Sequence, residues 1–399
     1  MKDPAAAIPG APIRVAPIQV AAVMPGVGVF RRGAEAFVVD LCAALDARPD
    51  FQVTLFCRGP APVPHRRIRA LPRDRRWLET LYGATRLGRK ILDTFYLDPL
   101  NLEWASASLS AFPSLWRGGY DVVIMEGGLV GAWLCRLLRR LKGIPFVDIA
   151  HGNSPRWEGA FARQHPDRVV CFTDAAAAMI RERAPRAAIQ VIPHGVDLQL
   201  FQPGVPPAPA VAELGLSRPI VLAAGAVDEH KRFHLAAEAV ARLSQPHEHA
   251  SLVVLGDGPA ASELDRHARA LLGEGRYHRT SVPREEMPAW YAAADAFTLP
   301  SLTEAFGLVY LEAMACGIPC VATDDAVRRS VLGNVGEVCP VEDSDRYARA
   351  LEGVLAEDWG QRPRRRAEEF SFATTAGAYA ALLEELARGR ESGGRAAQP

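Results

Sequence analysis

Short apolar runs separated by segments of helical period recur along this chain, the pattern left by strands that crossover helices bury on both faces. Ile13 to Met24, Gln52 to Phe56, Asp121 to Met125, Ile144 to Ala150, Arg168 to Phe172 and Ile189 to Ile192 read as a first set of strands. Pro219 to Ala224, Ser251 to Leu255, Arg279 to Val282, Ala296 to Leu299 and Ile318 to Ala322 read as a second. A proline-rich linker, FQPGVPPAPA, separates them. The alternation predicts an open-sheet α/β protein. A helix is expected over Ala36–Ala47, an amphipathic closing segment over Phe370–Leu386, and a disordered tail over Glu391–Pro399.

The densest signal lies at 300–323, PSLTEAFGLVYLEAMACGIPCVAT. Pro300 and Ser301 end a strand, and Leu308, Leu311 and Ala315 then recur at helical spacing. Gly317 and Pro319 stop the helix. Its first turn, Phe306, Gly307, Leu308 and Val309, presents backbone N–H groups without helical acceptors, which suits a phosphate. Gly307 lets a ligand approach the backbone. Glu312 lies among apolar neighbours, where a carboxylate suits two vicinal hydroxyls, and Glu304 stands just before the helix. The same spacing also fits one acid placed for the helix dipole and another on a solvated edge.

Other motifs carry less. Gly26-x-Gly28 follows the first strand, but Arg31 stands where a dinucleotide fingerprint needs its third glycine. Gly256-Asp257-Gly258 is formally G-x-G-x-x-A, although Pro259 fits as the first residue of a helix. Asp343-Ser344-Asp345 spells D-x-D ahead of a helix, so N-capping is its expected role. Residues 60–118 are rich in arginine and aromatics. There a helix with Leu81, Ile91, Leu92 and Phe95 fits either a bulky acceptor or packing on its own domain. Cys135–Lys142 (CRLLRRLK) leaves the same choice, a binding surface or a solvated basic face.

At 399 residues the chain accommodates two domains, and 49% hydrophobic with 23% charged residues is a globular composition. Net charge is zero, but residues 1–196 hold 26 Lys/Arg against 17 Asp/Glu, a balance of +9. The basic half suits an anionic acceptor or membrane surface, or is a surface bias without a partner. Seven cysteines without a histidine cluster read as reduced core or pocket residues of a cytoplasmic protein. No apolar run approaches a membrane span, and prolines at 4, 9, 12 and 17 interrupt any signal-peptide core.

The P-S-x-x-E-A-F-G-L opening, the seven residues between Glu304 and Glu312, the E-A-M-A-C-G-x-P that follows and the upstream AADAF resemble retaining nucleotide-sugar glycosyltransferases of family 4. Gly33-Ala34-Glu35 resembles the family's G-G-A-E turn, with Arg32 for its first glycine. Pro193-His194-Gly195-Val196-Asp197 resembles P-N-G-V-D. Lys231 keeps the family's lysine, while Ala226 replaces an arginine and Arg232 is a candidate substitute.

The resemblance implies a GT-B fold, two Rossmann-like doubly wound domains facing each other across a cleft. The expected division is an acceptor domain over 1–196, a donor domain over 197–369, a closing helix over 370–388 that returns to the first domain, and a tail over 389–399. It implies transfer of a sugar from a UDP- or GDP-linked donor to an acceptor hydroxyl, with retention and without a metal or other cofactor. His151 and Glu304 would be catalytic. Gly33, Lys231, Arg232, Val282, Glu304, Phe306, Gly307, Leu308, Val309 and Glu312 would bind the donor. The acceptor, a glycan, a lipid-linked molecule or a small molecule, stays open, nucleic acid is not expected, and peripheral contact with the inner membrane face is compatible with the basic half. The alternative is an inactive GT-B domain serving as a binding or regulatory subunit, supported only by Arg32 and Ala226. A sugar-phosphate epimerase of similar fold is disfavoured by the complete family signature.

Overall fold

The computed structural model describes residues 16–30, 33–72, 98–126, 128–152 and 155–395. Arg31, Arg32 and residues 73–97, with the helix expected around Leu81 to Phe95, lie outside the described residues. By contacts the described residues divide into two compact units, those within 16–30, 35–147 and 382–395 in one and those within 33–34 and 148–381 in the other.

The first sheet holds β1 (Ile18–Val23), β2 (Phe51–Cys57), β3 (His65–Arg67), β4 (Val122–Met125), β5 (Phe146–Ile149), β6 (Arg168–Cys171) and β7 (Ile189–Val191). Their order is β3-β2-β1-β4-β5-β6-β7. β1 pairs in parallel with β2 and β4, in register Val20 to Val53 and Val20 to Val122. The second sheet holds β8 (Ile220–Ala224), β9 (Ser251–Leu255), β10 (Tyr277–Thr280), β11 (Ala296–Leu299), β12 (Cys320–Thr323) and β13 (Gly336–Cys339), in the order β10-β9-β8-β11-β12-β13. Its registered pairs are all parallel. Both orders run outward from a first strand and then reverse, the dinucleotide-binding arrangement in which ligands sit beyond the strand ends at the reversal. In the second sheet that point lies between β8 and β11.

Every residue of β8, β9 and β11 is buried, which explains their unbroken apolar reading. Two strands escape the sequence pattern, β3 and β13. Both are sheet edges, and all three residues of His-Arg-Arg in β3 are exposed, so no two-sided burial imposes an apolar run. The edge strand β10 is likewise displaced from the expected Arg279–Val282 to Tyr277–Thr280, with only Tyr277 buried. The first helix spans Gly33–Asp46 instead of starting at Ala36. Pro259 does not open a helix; the helix begins two residues later, over Ala261–Leu272. Asp343 caps the Ser344–Ala356 helix, accepting from the N–H groups of Asp345 and Arg346, as expected.

The closing helix covers Phe372–Arg395, so the expected tail from 389 is corrected to helix as far as Arg395. Arg390 near its end donates to the Tyr120 carbonyl and pairs with Asp121, both at 2.9 Å. No helix among the described residues is long and apolar enough to cross a membrane. All seven cysteines are free and buried, and burial pushes the thiols of Cys42, Cys316 and Cys339 up to about 12.

The two glycines of the G-x-G at 256–258 bring the loops after β8 and β9 together. A Cβ on Gly256 would overlap the Gly225 carbonyl oxygen, and one on Gly258 the Val227 carbonyl oxygen. The Val227 N–H donates to the Asp257 carbonyl at 3.0 Å, so these glycines serve backbone approach. Gly256→Ala is expected to cost about 1–3 kcal/mol by overpacking this crossing, read as a lower denaturation midpoint. An unchanged midpoint would refute the crowding argument.

Candidate functional site

Lys231 follows β8 and Glu304 follows β11, the strands between which the second sheet reverses. Lys231 Nζ lies 2.5 Å from Glu304 Oε1, with the two side chains only 23% and 12% exposed. Each loop is held before it reaches this pair. The Asp228 carboxylate accepts from the His230 and Lys231 N–H groups at 2.9 and 3.1 Å. The Leu302 N–H donates to the His230 carbonyl at 2.8 Å, tying one loop to the other. The Ser301 carbonyl accepts from Arg328 Nη2 at 2.9 Å and Thr323 Oγ1 at 3.0 Å. Arg328 is completely buried and also pairs with Asp325.

Arg232 joins this bracing. Its Nε donates to the Pro300 carbonyl at 2.8 Å, its Nη2 to the Ser301 carbonyl at 3.3 Å, and its Nη1 pairs with Glu342 at 2.5 Å. The guanidinium is thereby fixed to the strand end that carries Glu304.

The helix beyond Glu304 covers Leu308–Ala315, with Gly307 as its N-cap at φ +89° and no side-chain cap. A Cβ at Gly307 would press on the Tyr310 ring, besides the strain of a positive φ. Tyr310 in turn donates its hydroxyl to the Leu299 carbonyl at 2.7 Å, which fixes the helix start to the end of β11. Leu308 and Val309 are half-buried. Phe306 is buried, its ring edge-on to His194 at 5.6 Å and to Phe370 at 5.7 Å. Glu312 is 8% exposed and accepts from the Tyr291 hydroxyl at 3.1 Å, with Arg284 Nε at 3.9 Å.

His151 stands just beyond β5. Its ring lies 5.4 Å from Phe172 and 6.2 Å from His194, which stacks on Phe172 at 3.7 Å. The rings therefore form a path from His151 through His194 to Phe306. Burial lowers the His151 pKa to about 4 and holds His194 well below its usual value, with His151 adding to the effect. Both imidazoles are neutral at pH 7. The Gly152 N–H donates to Glu158 Oε1 at 2.9 Å. Burial raises Asp148 to about 7 and, together with the charge of Asp148, lifts Glu158 well above the carboxylate range.

The structure thus brings Lys231 to Glu304 and His151 towards Phe306. Gly33 opens the Gly33–Asp46 helix, where a Cβ would come 3.9 Å from Leu308 Cδ1. Val282 sits half-buried in the loop after β10. Sequence reasoning missed Tyr291, Arg284, Arg328, Asp148 and Glu158. Only Asp148 leaves a signal, an acid inside the apolar run IPFVDIA. The ensemble offers a cation and a carboxylate at a strand-order reversal, beside a helix start with positive potential and a shielded second carboxylate.

The acid pair sets a pH dependence. Asp148 holds its proton more tightly folded than unfolded, so acidification from pH 7 towards 4 favours the fold and alkaline pH opposes it. Asp148→Asn should stabilise the fold more at pH 8 than at pH 5, by about 2–3 kcal/mol, measured by thermal melting at both values. An equal change at both would mean that Asp148 is ionised in the fold.

Residues 31–200 match the family described as "Glycosyltransferase Family 4", and residues 209–371 match "Glycosyl transferases group 1". Among curated relatives, a D-inositol 3-phosphate glycosyltransferase of Frankia alni is 32% identical over 280 residues, 61% of this chain and 68% of the relative. A GDP-mannose-dependent alpha-(1-6)-phosphatidylinositol monomannoside mannosyltransferase of Mycolicibacterium smegmatis is 33% identical over 195 residues, 46% of this chain and 50% of the relative. Sucrose-phosphate synthase of Thermosynechococcus elongatus superposes with a TM-score of 0.72 at 22% identity, covering 92% of this chain and 99% of the other. With matches over both halves, two parallel-sheet domains and a relative aligned over two thirds of its length, the chain belongs to the family 4 glycosyltransferases of GT-B fold.

Proposed function

We propose that this glycosyltransferase moves a sugar from a UDP- or GDP-linked donor to an acceptor hydroxyl, with retention at the anomeric carbon and without a metal. The observation that carries the proposal is the Lys231–Glu304 pair at 2.5 Å, placed where the second sheet reverses and next to the Leu308–Ala315 helix start. Breaking the anomeric C–O bond leaves negative charge on the departing diphosphate. Lys231 and the backbone N–H groups at Leu308 and Val309 supply preorganised positive potential for that charge, which is the basis for metal independence in this reading. A diphosphate at Lys231 competes with Glu304 for the ammonium, and the released carboxylate is then available to sugar hydroxyls or to the positive charge growing at the anomeric carbon.

Glu312 would accept from the ribose hydroxyls, with the Tyr291 hydroxyl holding its other oxygen. Val282 would present backbone to the base, Gly33 to the donor phosphates, and Gly307 room for their approach. Phe306 supports the helix start from beneath, and Arg232 serves the donor through the strand end it braces. His151, neutral at pH 7, would orient the transferred sugar as a hydrogen-bond partner. Retention rests on the family signature Glu304–Glu312. The printed names of the relatives make inositol phosphates and their lipid derivatives the first acceptors to test, and a lipid acceptor would give peripheral membrane contact a purpose.

The test is donor binding followed by donor hydrolysis and transfer. UDP or GDP at 100 times its dissociation constant should stabilise the chain by about 2.7 kcal/mol. Lys231→Ala should lower turnover ~100-fold or more, and Glu304→Gln should lower turnover while leaving nucleotide affinity near wild type. Glu312→Ala should instead weaken nucleotide binding ~10-fold. Normal turnover in Lys231→Ala or Glu304→Gln overturns the roles assigned, and nucleotide binding without sugar release from any donor would favour the binding-subunit alternative.

A further inference from the structure

Glu312 is 8% exposed, and a buried carboxylate costs free energy even when it is paired. Stability alone gives no reason for an acid at this position. The groups around it show how it is set up. Its two oxygens meet different neighbours: Oε2 accepts from the Tyr291 hydroxyl at 3.1 Å, and Oε1 lies 3.9 Å from Arg284 Nε. Both neighbours come from the segment after β10, Tyr291 as the last residue of the Met287–Tyr291 helix.

Tyr291 is itself firmly placed. It is completely buried, with its ring edge-on to Phe201 at 6.0 Å and 5.7 Å from Phe297 on β11. The Arg284 guanidinium lies 5.7 Å over the Phe201 ring, so Phe201 supports both neighbours of Glu312. Phe201 is pinned in turn. Arg364 Nη1 donates to the Phe201 carbonyl at 2.8 Å and, at 3.1 Å, to the carbonyl of Ala315 at the end of the helix that carries Glu312. The Tyr291 hydroxyl has one proton and a second acceptor within reach, the Val309 carbonyl at 3.4 Å. The shorter, charge-assisted contact with Glu312 takes that proton. Burial, with the charge of Glu312 adding to it, holds the phenol pKa well above its usual value, so the hydroxyl stays a donor near neutrality.

We propose that Tyr291 is a positioning residue that sets Glu312 to receive a cis-diol, and that it thereby makes the site select ribonucleotides over 2′-deoxyribonucleotides. The inference rests on the donor site of the proposed function and deepens it. A donor fixed on Oε2 sets the plane of the carboxylate, and that plane decides whether both hydroxyls of a ribose can be received at once. When one hydroxyl is missing, a site built for two leaves a buried polar group short of a partner, the condition under which sites discriminate most strongly.

The test compares UDP and GDP with their 2′-deoxy counterparts by titration calorimetry on the full chain. The wild type should bind the ribonucleotide ~10-fold or more tightly than the deoxynucleotide. Tyr291→Phe keeps the buried ring and should shrink that preference to ~3-fold or less by weakening the ribonucleotide. Glu312→Ala should abolish the preference, and Tyr291→Phe added to it should change the preference no further, because the tyrosine acts through the carboxylate. Melting of each variant without nucleotide reports any loss of fold separately.

A wild type that binds both sugars alike, or binds neither ribonucleotide, overturns the proposal. So does a Tyr291→Phe variant that loses affinity for both nucleotides by the same factor, as a merely structural tyrosine would. An effect of Tyr291→Phe that persists in full in the Glu312→Ala background overturns it as well. A chain that transfers sugar yet keeps its whole ribose preference in Tyr291→Phe would sink this inference and spare the enzymatic one. A ribose preference that depends on Tyr291, in a chain that releases sugar from no donor, would do the opposite.

Discussion

One ion pair marks the point where the second sheet reverses. Lys231 and Glu304 are separated by 73 positions and are delivered by the two strands that flank the reversal of the sheet. Neither strand alone holds its loop. Asp228 fixes the approach to Lys231, His230 ties that loop to Leu302, and Arg232 and Arg328 converge on the carbonyl of Ser301. Buried arginine is costly unless its donors are used. Here Arg328 Nη2 and Arg232 Nε and Nη2 donate to the main-chain oxygens of Pro300 and Ser301 beyond the strand end, while Arg328 Nε stays without a hydrogen-bond partner. The bracing fixes both loops that carry the Lys231–Glu304 contact, and under the proposed function that contact is the one a donor diphosphate would exchange.

The histidines obey a different logic. His151 is kept uncharged by burial and His194 by burial and by His151, and Phe172 packs against both rings. A neutral imidazole can orient a hydroxyl without adding a positive charge beside an anomeric carbon that is itself becoming positive. Glu158 accepts from the amide of Gly152 in the turn that presents His151, and burial with the charge of Asp148 raises its pKa well above the carboxylate range. Charge is thus concentrated at the leaving-group end of the proposed site and withheld from the sugar end.

Much of this was legible in the chain itself, for identifiable reasons. Strands buried on both faces, such as β8, β9 and β11, write continuous apolar runs, and all three were located closely. The edges β3, β10 and β13 write no such run, and were missed or displaced. At the site, Glu304, Gly307 and Glu312 sit in one short segment and were readable together. The pairing of Lys231 with Glu304, and of Tyr291 with Glu312, joins distant segments through tertiary structure, which local spacing does not encode. Arg232 was visible as a base beside Lys231, but its commitment to Pro300, Ser301 and Glu342 became evident only from the fold.

The seven buried cysteines have a practical corollary. Thiolate is the reactive form, and burial raises the pKa of Cys42, Cys57, Cys171, Cys316 and Cys339 to about 11 or 12, leaving little of it near neutrality. Native thiols sealed in this way compete poorly for maleimide or other alkylating reagents. A single cysteine introduced at an exposed position would then carry a fluorophore or spin label selectively, with every natural sulfur left in place.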